Sequence, residues 1–559
     1  MKRKIKKIPV FELQPDELLL DVHNLPAFDK QQFEGRVEQP IPKRALHGLI
    51  LCIGIMGFIF VSRLFYLQVV KYSFYNTKSE KNSLQTVPLF ANRGVIYDRN
   101  NVELAWNTLD AETDENILRK YIETPGFANF LGYVSYPAKD SSGKFWQERT
   151  IGRDGIEKQY DTDLAGVNGT KLVEVSVKGG VTSGGVVDEP EQGKNITLSI
   201  DSRMQSVLYS GIQTLATNSG FVGGAGVIMD IHTGEIYAMT SYPEYNPQIL
   251  ADGSDTATIQ GYMKSKARPF LNRATEGLYT PGSIIKPFLA LAALHEGVIT
   301  PYKQILSTKE MKVPNPFKPG TFSIFKDNAA HGLVDMRHAI AVSSNIYFYQ
   351  IGGGFGTTQK GLGIANIEKY TRMFGIGEKT GIELSGELAG TVPSVAWKAK
   401  HFPNDPWRIG DTYNTSIGQY GYQVTPLEMA RAVAGIASRG ALVTPTLIKN
   451  SPKEVSKGTL PFTDAEYTVV HEGMLLDVTE GTARALLIPG FTVAAKTGTA
   501  QIHNNTRVNS WTIGFFPYDK PRFAFAVLME DGPKVTTGAV HALRPLLDYI
   551  HANPELLTQ

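Results

Sequence analysis

The pattern of apolar positions is dominated by one long run near the start of the chain. Residues 45–62 are almost continuously apolar, and the apolar character resumes after Arg63 and lasts to Val70. A helix needs about 20 such residues to cross a bilayer, and an arginine near its end can extend its side chain to the interface. The run predicts one transmembrane helix over residues 45–70, in preference to a buried core helix.

A cleaved signal peptide is the other interpretation of this run. It is disfavoured because a long polar tail precedes the run and no small-x-small cleavage site follows closely. Lys43 and Arg44 directly precede the run, and the first seven residues contain five more basic ones. Basic flanks favour the cytoplasmic side. We therefore predict a cytoplasmic tail over residues 1–44, with the remainder outside the plasma membrane, as in a bacterial surface protein.

The remainder of the chain divides into two regions by its pattern. Residues 71–195 mix short strands with polar turns and predict a β-rich region. From residue 196 to 559 strands lie at both ends and helices are grouped between them, which predicts an α+β domain with an antiparallel sheet. The predicted strands are 225–230, 235–240, 491–496, 510–516 and 523–530, and the predicted helices are 283–297, 335–350 and 426–439.

Composition excludes several classes of function. The 559 residues include 56 Lys and Arg against 54 Asp and Glu, and this net charge of +2 argues against nucleic-acid binding through bulk positive charge. The single cysteine, Cys52, excludes intramolecular disulfides and any zinc site that needs two cysteines. Neither His-Glu pair, at His295 and His471, has a second histidine four residues on, so neither forms a metalloprotease helix.

The pattern Ser-x-x-Lys, which can place a serine and a base one helical turn apart, occurs three times. The copies at 141–144 and 323–326 lie in turn-like or loop-like sequence, whereas Ser283 and Lys286 open a helix. Pro287 has no amide hydrogen and fits only a first turn, which sets the helix start near Ser283. Backbone amides there face a developing oxyanion. We predict Ser283 as a nucleophile and Lys286 as its base; an ordinary N-cap serine is the alternative.

A second polar motif, Ser343-Ser-Asn345, lies inside an apolar stretch that is predicted to be helical. Polar side chains at such positions lower helix propensity and are costly to bury. A locally satisfied kink would account for them, but a polar wall that faces Ser283 and Lys286 is the better reason. Ser343 and Asn345 are therefore predicted to be catalytic.

Lys-Thr-Gly is the third motif, and it occurs twice. The copy at 379–381 follows a turn-rich segment, whereas Lys496 follows an apolar strand. An edge strand can pair with an extended peptide, and Gly498 allows a ligand to approach closely. Thr497 and Thr499 offer hydroxyls to a carboxylate. We predict these three residues to bind substrate and Lys496 to be catalytic, since its charge should help to keep the base neutral.

The three motifs come in the order found in the β-lactamases and penicillin-binding proteins, with Ser344 where the common set has aspartate. Together they resemble the class B penicillin-binding proteins, which are monofunctional D,D-transpeptidases of the bacterial cell wall. The resemblance covers nearly everything after residue 45. Further matching stretches are residues 63–69, 93–100, 152–158, 164–169, 272–274, 416–419 and 424–427. The last two are more similar to the elongation-type penicillin-binding protein 2 subgroup than to the septal one.

The resemblance implies four parts. Residues 1–44 form the tail and residues 45–70 the membrane helix. Residues 71–195 form a pedestal of the dimerisation type. Residues 196–559 form a transpeptidase domain whose antiparallel sheet is flanked by a helical subdomain.

The resemblance also implies a mechanism. Ser283 attacks a stem peptide that ends in D-Ala-D-Ala, and Lys286 accepts its proton. Ser343, with Asn345 nearby, passes a proton to the departing D-Ala, while the backbone amides of Ser283 and Thr499 form the oxyanion hole. An amine of a second stem peptide then resolves the acyl-enzyme, and no metal or organic cofactor is needed.

The chain differs from the family pattern in a few places. The segment between the Arg93 and Gly152 motifs is short, where elongation-type enzymes insert a head. Ile284 replaces a usual threonine, and Ala495 replaces a usual glycine. About 125 residues of pedestal are too few for a glycosyltransferase domain. The resemblance implies a SEDS-family polymerase in the membrane as partner, with stem peptides and β-lactams as ligands and no nucleic acid.

Other activities would use the same serine. A D,D-carboxypeptidase would resolve the acyl-enzyme with water, but the pedestal motifs disfavour it. A β-lactamase would need a poised carboxylate or its equivalent, and the sequence does not identify one. A membrane-bound sensor of β-lactams would need a signalling module, for which the 44-residue tail is short and polar. A pure scaffold would not retain a penicillin covalently.

Overall fold

The structure is a computed structural model that describes residues 42–109, 117–141, 145–175, 181–315, 318–451 and 456–557. Residues 1–41 of the predicted tail lie outside the described residues. The chain forms two compact units. One contains the described residues up to Gln85 with those of Val173–Gly184, and the other contains the described residues of Thr86–Leu172 and Gly185–Gln559.

The first unit contains the predicted membrane segment. An α-helix spans Lys43–Phe65 and continues as a π-helix over Tyr66–Val70. Within the described residues this is the one helix that is long and apolar enough to cross a membrane, and its side chains are not buried by the protein. The predicted long apolar helix is thus confirmed, with a start two residues earlier. A helix over Tyr72–Ser83 follows.

In its described residues, the region predicted to be β-rich consists of short strands, the helix Tyr72–Ser83 and three shorter helices. Four strands form one sheet in the spatial order Ile196–Thr197, Ile96–Tyr97, Glu103–Leu109 and Ile117–Tyr121. The other strands are Leu84–Leu89, Val134–Ser135, Ala138–Lys139, Phe145–Gln147, Ile151–Gly152, Gly169–Val175 and Val181–Asp188, and the helices are Ala128–Leu131, Gly155–Gln159 and Asp161–Ala165.

Buried ion pairs hold this region together. The Arg93 guanidinium donates to Glu157 over 2.5 Å and to Asp161 over 2.8 Å, and Arg119 donates to the other oxygen of Glu157 over 2.7 Å. The side chain of Glu157 is fully buried. A buried carboxylate is tolerated only when it is paired in this way. The network therefore joins the Arg93 motif to the helix that carries Glu157.

The five-stranded sheet of the larger domain is antiparallel throughout, as predicted. Its spatial order is Ile236–Tyr242, Gly223–Asp230, Phe523–Gly532, Arg507–Phe516 and Ala494–Ile502. The sheet thus combines strands from both ends of the domain. Ala494–Ile502, which carries the Lys-Thr-Gly motif, is an edge strand.

Both faces of this sheet are covered. Side chains of Phe523–Gly532 alternate between two cores because successive residues of a strand point to opposite faces. The helices Ser202–Ser219 and Ala539–Ala552 pack on one face, and Pro426–Ala437 packs on the other. The remaining α-helices are Pro247–Asp252, Thr256–Lys264, Lys286–His295, Met336–Ala341, Asn345–Gly353, Gly363–Met373, Val395–His401, Ile409–Ser416 and Asp464–Thr479.

Smaller elements complete the domain. Three two-stranded pairs are Ile305–Ser307 with Gly332–Val334, Glu310–Pro314 with Phe322–Lys326, and Ala441–Val443 with Ser456–Thr459. The 3₁₀ helices are Gly282–Ile285, Arg484–Leu486 and Pro554–Leu557.

The prediction of a single helix over residues 335–350 is wrong. The structure has two helices, Met336–Ala341 and Asn345–Gly353, with a break between them. Ser343 adopts a left-handed backbone conformation with φ of 59°, and the Ser344 hydroxyl accepts a hydrogen bond from the Tyr347 amide as an N-cap. The polar side chains therefore interrupt the helix, since serine favours a cap over a helix interior.

We predict that Glu157→Ala lowers the free energy of unfolding by about 3–5 kcal/mol, because it leaves the buried Arg119 guanidinium without its anion and Arg93 with Asp161 alone. Thermal unfolding followed by circular dichroism measures the effect. Glu148→Ala, at an exposed position of the same region, is the control and should change stability by at most about 0.5 kcal/mol. Equal losses in the two variants would show that the buried pairs are not important for stability.

Candidate active site

Ser283 lies in a tight turn that leads into a helix. The turn is the 3₁₀ helix Gly282–Ile285, and Lys286–His295 continues it as an α-helix with Pro287 in its first turn. Gly282 has φ of 60°, and its amide donates to the Gly418 carbonyl over 2.9 Å. The backbone of the 416–419 stretch thus fixes the turn, and the Ser283 side chain remains partly exposed.

Lys286 lies one turn after Ser283 and is completely buried. Its Nζ donates to the Ser343 carbonyl over 2.7 Å and to Asn345 Oδ1 over 2.8 Å, and it lies 3.3 Å from Ser343 Oγ. All three oxygens are uncharged. The first two motifs are therefore in direct contact through this amine.

The surroundings of Lys286 favour its neutral form. Burial lowers its pKa well below the ordinary lysine value, and the charge of Lys496 lowers it further, whereas Asp327 and Asp477 act in the opposite direction. Desolvation and a like charge both disfavour an ammonium ion. A neutral amine can accept a proton, which is the property that a general base needs.

Lys496 belongs to the edge strand of the sheet, and its side chain is also fully buried. Its Nζ lies 2.9 Å from Asp477 Oδ2, and both side chains are inaccessible to solvent. Asp477, on the helix Asp464–Thr479, also accepts hydrogen bonds from the backbone amides of Thr482 and Ala483. Asp477 was not predicted from the sequence, because it is one of several acidic residues in its helix and belongs to no motif.

The Lys-Thr-Gly strand packs against the turn that carries the serine. A Cβ atom added at Gly498 would lie 2.8 Å from Ile284 Cγ2 and 3.0 Å from the Pro281 carbonyl oxygen. The glycine therefore allows the strand to approach the Ser283 turn closely, in addition to the ligand approach that was predicted. A Cβ atom added at Gly282 would likewise lie only 3.1 Å from the Thr499 carbonyl oxygen.

These residues surround one cleft of about 920 Å³. Lys286 and Lys496 lie buried beside it, and the structure thus brings the residues of all three motifs together. The predicted residues that line the cleft are Ser283, Ser343, Asn345, Thr497, Gly498 and Thr499. Their individual roles remain predictions.

The other copies of Ser-x-x-Lys and Lys-Thr-Gly differ from the assigned ones in position or in local structure. Thr380 of the second Lys-Thr-Gly copy donates its hydroxyl to buried Glu387 over 2.5 Å, so this copy stabilises a turn. Ser323, expected in a loop, lies in the strand Phe322–Lys326. The end of this strand and the residues after it form a wall of the cleft, although Ser323 is not a lining residue. In the third copy, residues 142–144 lie outside the described residues.

Comparison of the chain with known protein families identifies its family. A family model for the penicillin-binding protein transpeptidase domain matches residues 224–547, and one for the penicillin-binding protein dimerisation domain matches residues 108–198. The chain belongs to the penicillin-binding protein transpeptidase family.

Individual relatives agree with this assignment. The chain is 28% identical to the peptidoglycan D,D-transpeptidase MrdA of Acinetobacter baumannii over 90% of this chain and 86% of that protein. It superposes on Pseudomonas aeruginosa PBP2 with a TM-score of 0.67 and 30% identity, covering 83% of this chain and 96% of that one. A solved peptidoglycan synthase complex contains a chain with a TM-score of 0.70 and 25% identity, covering 90% and 98%.

We predict that the rate of acylation by a penicillin rises with pH as Lys286 loses its proton, and that this rise occurs far below the pH at which an ordinary lysine titrates. Lys496→Met should move the rise to higher pH. The substitution removes a cation that lowers the pKa of Lys286 and leaves the Asp477 charge, which raises it. Second-order acylation rates measured across pH test this, and a shift to lower pH in the variant would contradict it.

Proposed function

We propose that this protein is a serine-type D,D-transpeptidase that cross-links peptidoglycan stem peptides through an acyl-enzyme. The relatives named peptidoglycan D,D-transpeptidase support the reaction class. One observation supports the chemistry most strongly: the buried Lys286 amine, biased toward its neutral form, joins the Ser283 helix to Ser343 and Asn345. A serine hydroxyl needs such a base to become a nucleophile.

In the proposed acylation step, Ser283 Oγ attacks the carbonyl carbon between the two terminal D-Ala residues and loses its proton to Lys286. The carbonyl oxygen becomes an oxyanion, which the backbone amides of Ser283 and Thr499 stabilise. As the peptide bond breaks, Ser343 donates a proton to the departing D-Ala nitrogen and receives one from Lys286. The products are an ester on Ser283, free D-Ala and the neutral lysine.

In the second step the amine of a neighbouring stem peptide attacks the ester. It loses a proton to the base, and Ser283 regains one as the ester bond breaks. The new amide bond is the cross-link, and the enzyme returns to its starting state.

We assign substrate binding to the exposed side of the edge strand. An extended peptide can pair with the free edge of Ala494–Ile502. Thr497 and Thr499 line the cleft and offer hydroxyls to the terminal carboxylate. Lys496 is buried, so it contributes positive potential through the strand rather than direct contact.

We also propose where the protein is located in the cell. Lys43–Val70 anchors the protein in the bacterial plasma membrane, with the basic tail in the cytoplasm and the catalytic domain outside. Residues 71–195 serve as the pedestal and residues 196–559 as the transpeptidase domain. A SEDS-family glycosyltransferase is the proposed partner, supported by the relative in a complex described as coordinating polymerization and crosslinking.

We predict that the wild-type protein retains a fluorescent penicillin covalently, whereas Ser283→Ala does not, because the ester has no other site to form. Denaturing gel electrophoresis followed by mass spectrometry of the labelled peptide measures this. Undiminished labelling of the alanine variant would reject Ser283 as the nucleophile.

We predict that Lys496→Ala slows acylation by orders of magnitude, whereas Lys379→Ala leaves it nearly unchanged. The two lysines occupy the same motif, but only Lys496 is next to the cleft, so the second variant is a matched control. Acylation rates from time courses of labelling measure both, and equal losses would mean that the wrong motif copy was assigned.

A further inference from the structure

A buried carboxylate lies beside the second motif and outside all three motifs. Asp327 follows the strand Phe322–Lys326, and its side chain is fully buried. Its Oδ2 accepts hydrogen bonds from the Ile346 amide over 3.0 Å, from Ser344 Oγ over 3.1 Å and from Ser307 Oγ over 3.3 Å. Ser307 and Ser344 also bond to each other over 2.7 Å.

These bonds fix the break between two helices. Ser343 has a left-handed backbone, which an ordinary side chain rarely adopts unless its surroundings hold it there. In this conformation the carbonyl oxygen and Oγ of Ser343 both face Lys286 Nζ, at 2.7 Å and 3.3 Å. Asp327 binds Ser344 and Ile346, which lie one and three residues after Ser343, so a shift of its carboxylate would move the start of the helix Asn345–Gly353 and both Ser343 oxygens with it.

The strand that leads to Asp327 is itself anchored. The Phe325 ring lies 4.8 Å from the Tyr413 ring and 5.6 Å from the Tyr349 ring, measured between centroids. The Asn345 side-chain amide donates to the Lys326 carbonyl over 3.4 Å. The strand and the helix start therefore contact each other at several points, and Asp327 is the charged member of that contact.

The sequence supplies a reason for this carboxylate. In the common Ser-Asp-Asn form of the motif the middle residue is an aspartate, whereas this chain has Ser344. We propose that Asp327 is a positioning residue that supplies, from the neighbouring strand, the carboxylate that the motif itself lacks. Through Ser344 and Ile346 it holds Ser343 and Asn345 against Lys286. This inference rests on the proposed acylation of Ser283.

The charge of Asp327 has a second effect that a purely structural role would not have. The charged groups that act on Lys286 are Lys496 from the edge strand, Asp477 from the helix behind it and Asp327 from the hairpin. On its own segment Asp327 follows Lys326, and His331 Nε2 lies 3.9 Å from its Oδ1. Removal of the Asp327 charge lowers the pKa of Lys286 further, which is opposite in sign to the effect of Lys496→Met.

The first experiment measures Asp327→Asn in the full-length protein. We expect the second-order rate of acylation by a fluorescent penicillin to fall by about 10- to 100-fold, because small displacements of catalytic groups have effects of this size. The rise of the rate with pH should also move to lower pH. Asp201→Asn is the matched control, since Asp201 is a buried aspartate that caps the helix Ser202–Ser219 away from the cleft. It should lower the melting temperature and leave the pH profile unchanged.

The second experiment tests rescue, and it remains decisive if Asp327 variants are less stable. Ser344→Asp in the wild-type background places a second carboxylate about 3 Å from Asp327 and should slow acylation through like-charge repulsion. In an Asp327→Ala background the same substitution restores a carboxylate within reach of Ser307 and the helix amides. It should therefore raise the acylation rate per folded molecule at least about 10-fold above that of Asp327→Ala alone.

The inference is overturned if Ser344→Asp changes the rate in the same direction in both backgrounds, or if Asp327→Asn acylates at the wild-type rate. These outcomes require wild-type protein that takes up the label. Wild-type protein that takes up none would reject the proposed function instead, so the two failures are distinguishable.

Discussion

The burial of one amine without a charged partner in direct contact is the constraint on which the rest of the site depends. Lys286 is inaccessible to solvent, and its three hydrogen-bond partners are uncharged oxygens. An ammonium ion in this position is costly to desolvate, and Lys496 adds repulsion. The same burial that keeps the lysine neutral, and thus able to accept a proton, leaves it dependent on correctly placed partners, because a misplaced partner would leave a buried polar group unpaired.

The fold provides these partners at the meeting point of a sheet edge and two helices. Gly498 allows the edge strand to lie against the turn of Ser283, so the second lysine comes close to the first. The helix break at Ser343 turns a carbonyl and a hydroxyl toward the Lys286 amine. Asp477 pairs with Lys496 and thereby stabilises a buried cation near the Lys286 amine. Ser283, the proposed nucleophile, is therefore partly exposed beside a densely hydrogen-bonded polar interior.

Much of this arrangement was predictable from the sequence, since the apolar run, the strand alternation and the motif order each have a direct physical interpretation. Pro287 placed the start of the Ser283 helix, and the apolar strand before Lys496 separated that motif from its second copy. The break at Ser343 was missed because its flanks are as apolar as a continuous helix. Asp327 and Asp477 were missed because each is a single acidic residue, 17 and 19 positions before the residue it contacts. Only tertiary structure brings such pairs together.

The protonation state of Lys286 can be observed directly and without any substrate. The protein labelled with ¹³C at the lysine ε-carbons, with the Lys286 signal assigned from its absence in Lys286→Arg, allows a direct titration by nuclear magnetic resonance. We expect a midpoint well below the ordinary lysine value of about 10.4, with lysines on the exposed surface as internal references. A midpoint at or above that of the surface lysines would contradict it.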